Sequence, residues 1–196
     1  MSDREPLLLD AAIDVLAAGG IRRLTHRAVD TRAGLPLGST SNRFRSRDAL
    51  LAGVIKRLLD RETALWTRMA VGMNTGSINA FAERLGRVVE ALSGTERELT
   101  LARYALFAEA ALQPGLRTEL SAAARRQLTE WLAPLLTDLG SRNPAADLRQ
   151  LLALVDGLLG SQLVDPTPDF TPAPAIAALL HGLIDRPAPA TNQAAQ

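Results

Sequence analysis

The segment LTHRAVDTRAGLPLGSTSNRFRSRDALL, residues 24–51, contains two short helical patterns separated by a glycine. Thr25 is a favourable N-cap for the first pattern, and Gly34 is a favourable residue to end it. In the second pattern Thr40 and Phe44 are four residues apart, so both lie on one face and can turn back to the core. Two short helices joined by a tight turn are the elements of a helix-turn-helix motif, whose second helix reads DNA.

The second helix, predicted at Leu37 to Arg43, presents small and hydrogen-bonding side chains on its outward face. Pro36 fits the first helical position, where its missing N–H would have no partner in any case. Small residues let the helix approach the major groove closely, and Asn and Arg read the edges of adenine and guanine. The predicted base contacts are the outward residues Ser39, Asn42 and Arg43, with Leu37, Gly38 and Ser41 at the margins.

The segment is also strongly basic. Between Arg22 and Arg47 the chain has seven arginines and a single acidic residue, Asp30. Such a block favours binding to phosphates, although charge alone leaves an ordinary solvated surface open as the alternative. We expect phosphate contacts from Thr25, His26, Arg27 and Arg47.

The rest of the chain has apolar residues at helical spacing, and no stretch alternates as a strand would. Further helices are predicted near residues 3–18, 46–69, 78–92, 99–110, 116–139, 146–164 and 175–184. The fold class is therefore all-α, with an N-terminal helix-turn-helix DNA-binding domain at residues 1–50 and a larger helical bundle at 51–186. Residues 187–196 have little to bury and are predicted to form a disordered tail.

The residue inventory excludes several classes of function. The chain has no Cys and two His, and it has no P-loop, dinucleotide-binding or His-Glu-x-x-His motif. We therefore predict no enzyme activity, no cofactor and no metal site. No apolar run reaches the about 20 residues of a membrane span, so we expect a cytoplasmic protein with no membrane partner.

Aromatic residues of the bundle are candidates for the wall of an effector cavity, although plain core packing is their commoner role. Arg103 interrupts an apolar face, and it could serve a pocket or form a buried ion pair with a nearby Glu. An aromatic pocket without metal ligands favours a largely apolar, neutral or cationic organic molecule. The candidate ligand contacts are Trp66, Phe81, Arg103, Tyr104, Phe107 and Trp131.

The predicted helix at 146–164 is apolar on more than one side, and such a surface is normally covered by a partner. This pattern predicts a homodimer, with Leu148, Leu152, Val155 and Leu159 in the interface.

Residues 24–51 resemble the DNA-binding segment of the tetracycline-repressor family of bacterial transcription regulators. The shared features are a Thr-led helix, an Ala-Gly turn, a Gly-Ser pair and then Phe-x-x-basic-x-x-Leu. They fall on Thr25, Ala33-Gly34, Gly38-Ser39, Phe44, Arg47 and Leu50.

The resemblance implies a homodimeric, ligand-responsive regulator, more specifically a repressor. Such a protein binds a palindromic double-stranded DNA operator and is released by a small organic effector. Residues 51–186 would then form the effector-binding and dimerisation domain, with dimer contacts from about residues 115–139 and 146–164.

Several positions depart from the usual family pattern, among them Pro36 in place of the common Ser cap and Arg47 in place of the usual Lys. Ser41 and Arg43 stand where the family commonly has aromatic residues or His, and Asp30 stands where it has a small residue. Arg43 could therefore hold a phosphate or read a guanine. The alternative function is a helical small-molecule-binding or adaptor protein without sequence-specific DNA binding.

Overall fold

The computed structural model describes residues 4–70, 76–112 and 129–185, and the regular structure of these residues is entirely helical. This agrees with the predicted all-α class. The helices are α1 (Arg4–Gly19), α2 (His26–Ala33), α3 (Ser39–Arg43), α4 (Arg47–Ala70), α5 (Ile78–Ser93), α6 (Arg97–Leu112), α7 (residues 129–138), α8 (Pro144–Val164) and α9 (Ala173–Ile184). The predicted tail at 187–196 lies outside the described residues.

Several helix ends are fixed by local side-chain chemistry. The Thr25 hydroxyl caps α2 by accepting a hydrogen bond from the Ala28 N–H at 3.1 Å, and Gly34 ends the helix in the left-handed region at φ 66°. The Asn143 side chain caps α8 in the same way, with Pro144 in the first turn of the helix. These caps satisfy N–H groups that have no partner inside the helix.

The turn before α3 differs from the prediction. Pro36 lies before the helix, in a turn that its carbonyl closes by accepting the Ser39 N–H at 3.1 Å. Gly38 then takes a φ of 95°, a left-handed value that favours glycine, and α3 begins at Ser39. Leu37 and Gly38 therefore belong to the turn rather than to the helix.

Two hydrophobic cores lie along the chain. The N-terminal core joins α1, α2, the first half of α4 and the inner face of α6; its buried members include Ile13, Val29, Leu50, Leu58 and Leu106. The C-terminal core joins the later part of α4 with α5, α7, α8 and α9; its buried members include Leu65, Phe81, Leu136, Leu151 and Ile176.

Helix α4 contributes to both cores, so the predicted division after residue 50 falls inside a continuous helix. Helix α1 packs along α6, while α5 packs along α9. The helix-turn-helix is thus held to the larger bundle at two places, by the continuous helix α4 and by the packing of α1 along α6. In the described ranges no helix is both long and apolar enough to cross a lipid bilayer.

Candidate DNA interface and effector region

Helix α3, the predicted recognition helix, is held in place by a carboxylate on α2. Asp30 is 1% exposed, and its side chain accepts hydrogen bonds from the Gly38 N–H at 2.8 Å and the Thr40 N–H at 2.7 Å. The Thr40 hydroxyl donates to the same carboxylate at 2.5 Å. Asp30 therefore caps α3 from the neighbouring helix and supplies the N-terminal partner that a five-residue helix lacks.

The environment of Asp30 favours its charged form. Burial raises the pKa of the carboxyl. The hydrogen bonds from Thr40 and Gly38, together with the nearby His26, outweigh burial, so the pKa lies below 3.8, the ordinary value of an aspartate. Three donors converge on this one group, so it stays ionised at neutral pH. The departure from the family's small residue at position 30 is thus structural.

The two sides of α3 agree with the predicted faces except at Ser39, which was expected to point outward, and at Ser41, which was expected at the margin. Thr40 and Phe44 are buried, while Ser41, Asn42 and Arg43 are exposed and Ser39 is half-buried. The Ser39 hydroxyl donates to the Pro36 carbonyl at 2.6 Å, and the Ser41 hydroxyl donates to the Gly38 carbonyl at 3.1 Å. Leu37, at the tip of the turn, is 69% exposed.

Arg43 makes a contact that the sequence did not indicate. Its Nε donates to Oε2 of Glu5 on α1 at 2.5 Å, and its Nη2 donates to the same oxygen. Both side chains remain accessible, at 59% for Arg43 and 38% for Glu5. The first turn of α1 therefore takes part in arranging the outward surface of α3.

The other predicted DNA contacts lie around α3. His26 is half-buried, and its Nε2 lies 2.8 Å from the Phe44 carbonyl, which requires this nitrogen to donate. Arg47 donates from Nη2 to the Ile21 carbonyl at 2.8 Å. Arg27 is exposed, beside the α2 N-cap Thr25. His26 thus links the start of α2 to the end of α3, and Arg47 links α4 to the 3₁₀ turn Ile21–Arg23, which follows α1.

In the bundle, Arg103 lies at the centre of a charged and aromatic cluster. Its Nε lies 3.7 Å from a Glu62 carboxylate oxygen, and its Nη2 lies 3.5 Å from one of Asp156. The guanidinium is 5.1 Å from the centre of the Phe107 ring. The Tyr104 hydroxyl donates to the Asp156 carbonyl at 2.8 Å. The cluster therefore joins α4, α6 and α8.

Burial dominates the electrostatics of this cluster. It raises the pKa of Glu62 above 4.5, against the lowering effect of Arg103 and with a further rise from Asp156. Burial and Asp156 also raise the pKa of Tyr104. Glu62 was not among the predicted ligand contacts. Its signal in the sequence is its place on the apolar face of α4, four residues after Leu58 and three before Leu65.

The remaining predicted ligand contacts are aromatic core residues. Trp66 is 9% exposed and Phe81 is fully buried in the C-terminal core. Trp131 is half-buried and packs against that core. Among the residues that the structure describes, no group of three or more His, Cys, Asp or Glu side chains is arranged to hold a metal ion.

The predicted dimer residues need correction. Leu148, Val155 and Leu159 are 2%, 4% and 0% exposed within a single chain, because they pack in its own C-terminal core. They have no surface left for a partner. Leu152 is half-buried, and the exposed side of α8 carries Ala153, Asp156, Gly157, Ser161 and Val164 instead.

The C-terminal part decides the family. Residues 76–186, more than half of the chain, match the tetracyclin repressor-like C-terminal domain. The chain belongs to the tetracycline-repressor family. This is also the family that residues 24–51 resemble, so the two parts of the chain agree.

Solved structures of the tetracycline-repressor fold are similar over almost the whole chain. A family member from Streptomyces coelicolor A3 is 26% identical, with a TM-score of 0.71 over 93% of this chain and 98% of its own. The multidrug binding protein EbrR complexed with ethidium is 27% identical, with a TM-score of 0.69 over 93% and 99%. A transcriptional regulator from Rhodococcus sp. Rha1, at 22% identity and a TM-score of 0.78 over 94% and 97%, supports the fold alone. No curated protein matches the chain.

Membership of the tetracycline-repressor family makes this protein a transcription regulator rather than an enzyme. It also accounts for the order of the fold, in which a helix-turn-helix precedes a helical ligand-binding domain.

Proposed function

We propose that the protein is a homodimeric repressor that binds a palindromic DNA operator and leaves it when a small organic effector binds. The observation that carries this proposal is the recognition helix. A buried carboxylate, Asp30, fixes α3 at its N-terminus, and the helix turns Asn42 and Arg43 to solvent. Exposed amide and guanidinium groups on a rigid helix are what reading of the major groove requires.

The phosphate contacts would come from the surface beside α3. An open groove of about 620 Å³ runs along α2, lined by Thr25, Arg27, Ala28, Thr31 and Arg32. Its arginines provide positive charge, and the start of α2 directs a helix dipole at the same place. His26 lies in the first turn of α2, and Arg47 contacts the Ile21 carbonyl shortly before that helix. Exposed Leu37 suits apolar contact with a thymine methyl group.

The effector is proposed to be an apolar organic molecule, neutral or cationic, bound near the Arg103 cluster. Glu62 is a nearly buried carboxylate, and the face of the Phe107 ring accommodates the guanidinium of Arg103. Both features favour a cation with an aromatic or aliphatic body. EbrR, a relative in fold, is complexed with ethidium in one structure and with proflavin in another.

The dimer is proposed to form through the exposed side of α8. Ala153, Gly157 and Val164 lie on this side, and Val164 is 87% exposed. A Cβ added at Gly157 would meet no atom within 4 Å, so the helix leaves room for close approach of another helix. A two-fold dimer would place two copies of α3 against two half-sites of a palindrome.

Selection of a random double-stranded DNA pool by the pure protein tests the proposal. We expect an enriched palindrome, binding that weakens steeply with salt, and loss of sequence preference in Asn42→Ala. Glu83→Ala, a substitution at an exposed position of α5 outside both proposed surfaces, is the control and should keep the preference. Enrichment of no sequence, with a folded protein that still binds organic cations, would favour the adaptor alternative.

A further inference from the structure

We propose that Glu5 is a positioning residue that orients Arg43 to read a guanine rather than to hold a phosphate. This inference rests on the proposed DNA-binding function. It answers a question that the sequence left open, and it gives the first turn of α1 a part in sequence recognition.

The hydrogen bonds of Arg43 determine which of its edges is free. A guanidinium has five N–H donors, one on Nε and two on each terminal nitrogen. Nε and Nη2 both donate to Oε2 of Glu5, so the side edge of the guanidinium is occupied. The end of the group, formed by Nη1 and the second N–H of Nη2, offers two parallel donors. Two such donors match O6 and N7 of guanine.

The location of the pair fits this role. Arg43 is the last residue of α3, and Glu5 reaches it from the first turn of α1. The two side chains lie in an open groove of about 530 Å³, whose lining also includes Ser39 and Asn42. Arg43 is therefore held beside the other outward residues of α3. A tethered arginine loses less side-chain freedom on binding than an untethered one.

The charge of Glu5 argues against a phosphate contact. A carboxylate cancels much of the attraction between Arg43 and the DNA backbone, and it repels a nearby phosphate. A base edge is uncharged, so this repulsion matters less there, while the fixed geometry of the guanidinium matters more. Glu5 should therefore lower general affinity slightly and raise selectivity.

Base preference separates this role from simple repulsion. The wild type, Glu5→Gln, Arg43→Ala and Asp14→Asn each select sequences from the same random duplex pool, and affinities are then measured for duplexes that differ at one base pair. Asp14→Asn is the matched control, because Asp14 is also on α1 and pairs with an arginine outside α3, Arg32, at 2.9 Å. The two substitutions remove the same charge from the same helix.

We expect the wild type to prefer guanine at one position in each half-site, and Arg43→Ala to lose that preference. Glu5→Gln should reduce the preference for guanine at this position by about tenfold, while the base preferences at the other positions stay the same. Asp14→Asn releases Arg32 in the proposed phosphate groove, so it should strengthen binding to every duplex equally and leave the base preference at every position unchanged. The inference is overturned if Glu5→Gln strengthens binding to every duplex equally, or if Arg43→Ala alters affinity without altering any base preference. A wild type that enriches no sequence would instead contradict the proposed function itself.

Discussion

The carboxylate of Asp30 accepts both the backbone N–H and the hydroxyl of Thr40, ten residues further along the chain. One buried group on α2 thus fixes the first turn of the recognition helix. A five-residue helix has little stability of its own, because nucleation of a helix is unfavourable. The side of α3 that is proposed to read DNA therefore depends on a residue that is buried inside the protein.

Asp30→Ala should lower the free energy of unfolding by about 1–3 kcal/mol, because it leaves three donors without their acceptor. Operator affinity should fall further than this loss explains, since α3 would no longer be ordered. Asp30→Asn keeps an acceptor oxygen and should cost less. Urea unfolding and gel-shift titration measure the two effects, with exposed Asp169→Ala as the control, which should change stability by less than about 0.5 kcal/mol. Unaltered stability in Asp30→Ala would contradict the capping role.

The raised pKa of Glu62 predicts a definite pH dependence. Burial keeps the pKa of the folded state above 4.5, so the folded protein holds this proton more tightly than the unfolded chain. The contribution of protonated Glu62 to the free energy of unfolding is complete below pH 4.5, the ordinary pKa of a glutamate in the unfolded chain. It is lost as pH rises through the folded-state pKa. Glu62→Gln has no carboxyl to titrate at this position. The free energy of unfolding of Glu62→Gln should therefore rise relative to that of the wild type as pH increases. Urea unfolding from pH 4.5 to 8 tests this, with exposed Glu83→Gln as the control. Parallel curves for wild type and Glu62→Gln would contradict it.

The exposed side of α8 predicts which substitutions separate the subunits. Gly157→Arg places a charged side chain in open space and should give a folded monomer by light scattering at micromolar concentration. Ala52→Arg, at an exposed position of α4, should stay dimeric. Val155→Arg should lower the melting temperature instead, because Val155 is 4% exposed in the core of its own chain. A folded, monomeric Val155→Arg would instead place Val155 in the dimer interface.

The effector proposal predicts reciprocal coupling. Tetraphenylphosphonium is an apolar organic cation that, unlike ethidium, does not intercalate into DNA. It should quench Trp66 or Trp131 fluorescence and weaken operator binding by a coupling of roughly 1–3 kcal/mol, and the operator should weaken cation binding by the same factor. Neutral triphenylphosphine oxide should bind less tightly, and Glu62→Gln should reduce that difference. Quenching with unchanged operator affinity would mean a binding site without a regulatory role.

Local patterns predicted the helix-turn-helix well. Thr25 and Gly34 act within a few residues of the backbone groups that they satisfy, and the spacing of Thr40 and Phe44 fixes one face of a helix. The start of α3 was misplaced because Pro36 is acceptable both in the first turn of a helix and in the turn before it. Only the left-handed conformation at Gly38 decides between these two possibilities.

Tertiary relationships were not available from helical spacing. The periodicity of α8 shows that Leu148, Val155 and Leu159 must be covered, but it does not say whether their own chain or a partner covers them. Asp30 and Glu5 find their partners on other helices, so their neighbours in sequence carry no sign of those bonds. Glu62 was visible as an acid on an apolar face, while its pairing with Arg103 depends on how α4 meets α6.

The packing of α1 along α6 has a consequence for protein engineering. The core beneath α1 is completed by residues of α6, namely Leu99, Ala102, Leu106 and Ala110. The segment proposed to read DNA therefore does not form a complete core by itself. A chimaera that joins residues 1–50 to the ligand domain of another regulator would press α1 against a foreign α6. A chimaera that is meant to carry the operator preference of this protein must therefore also include the inward residues of its α6.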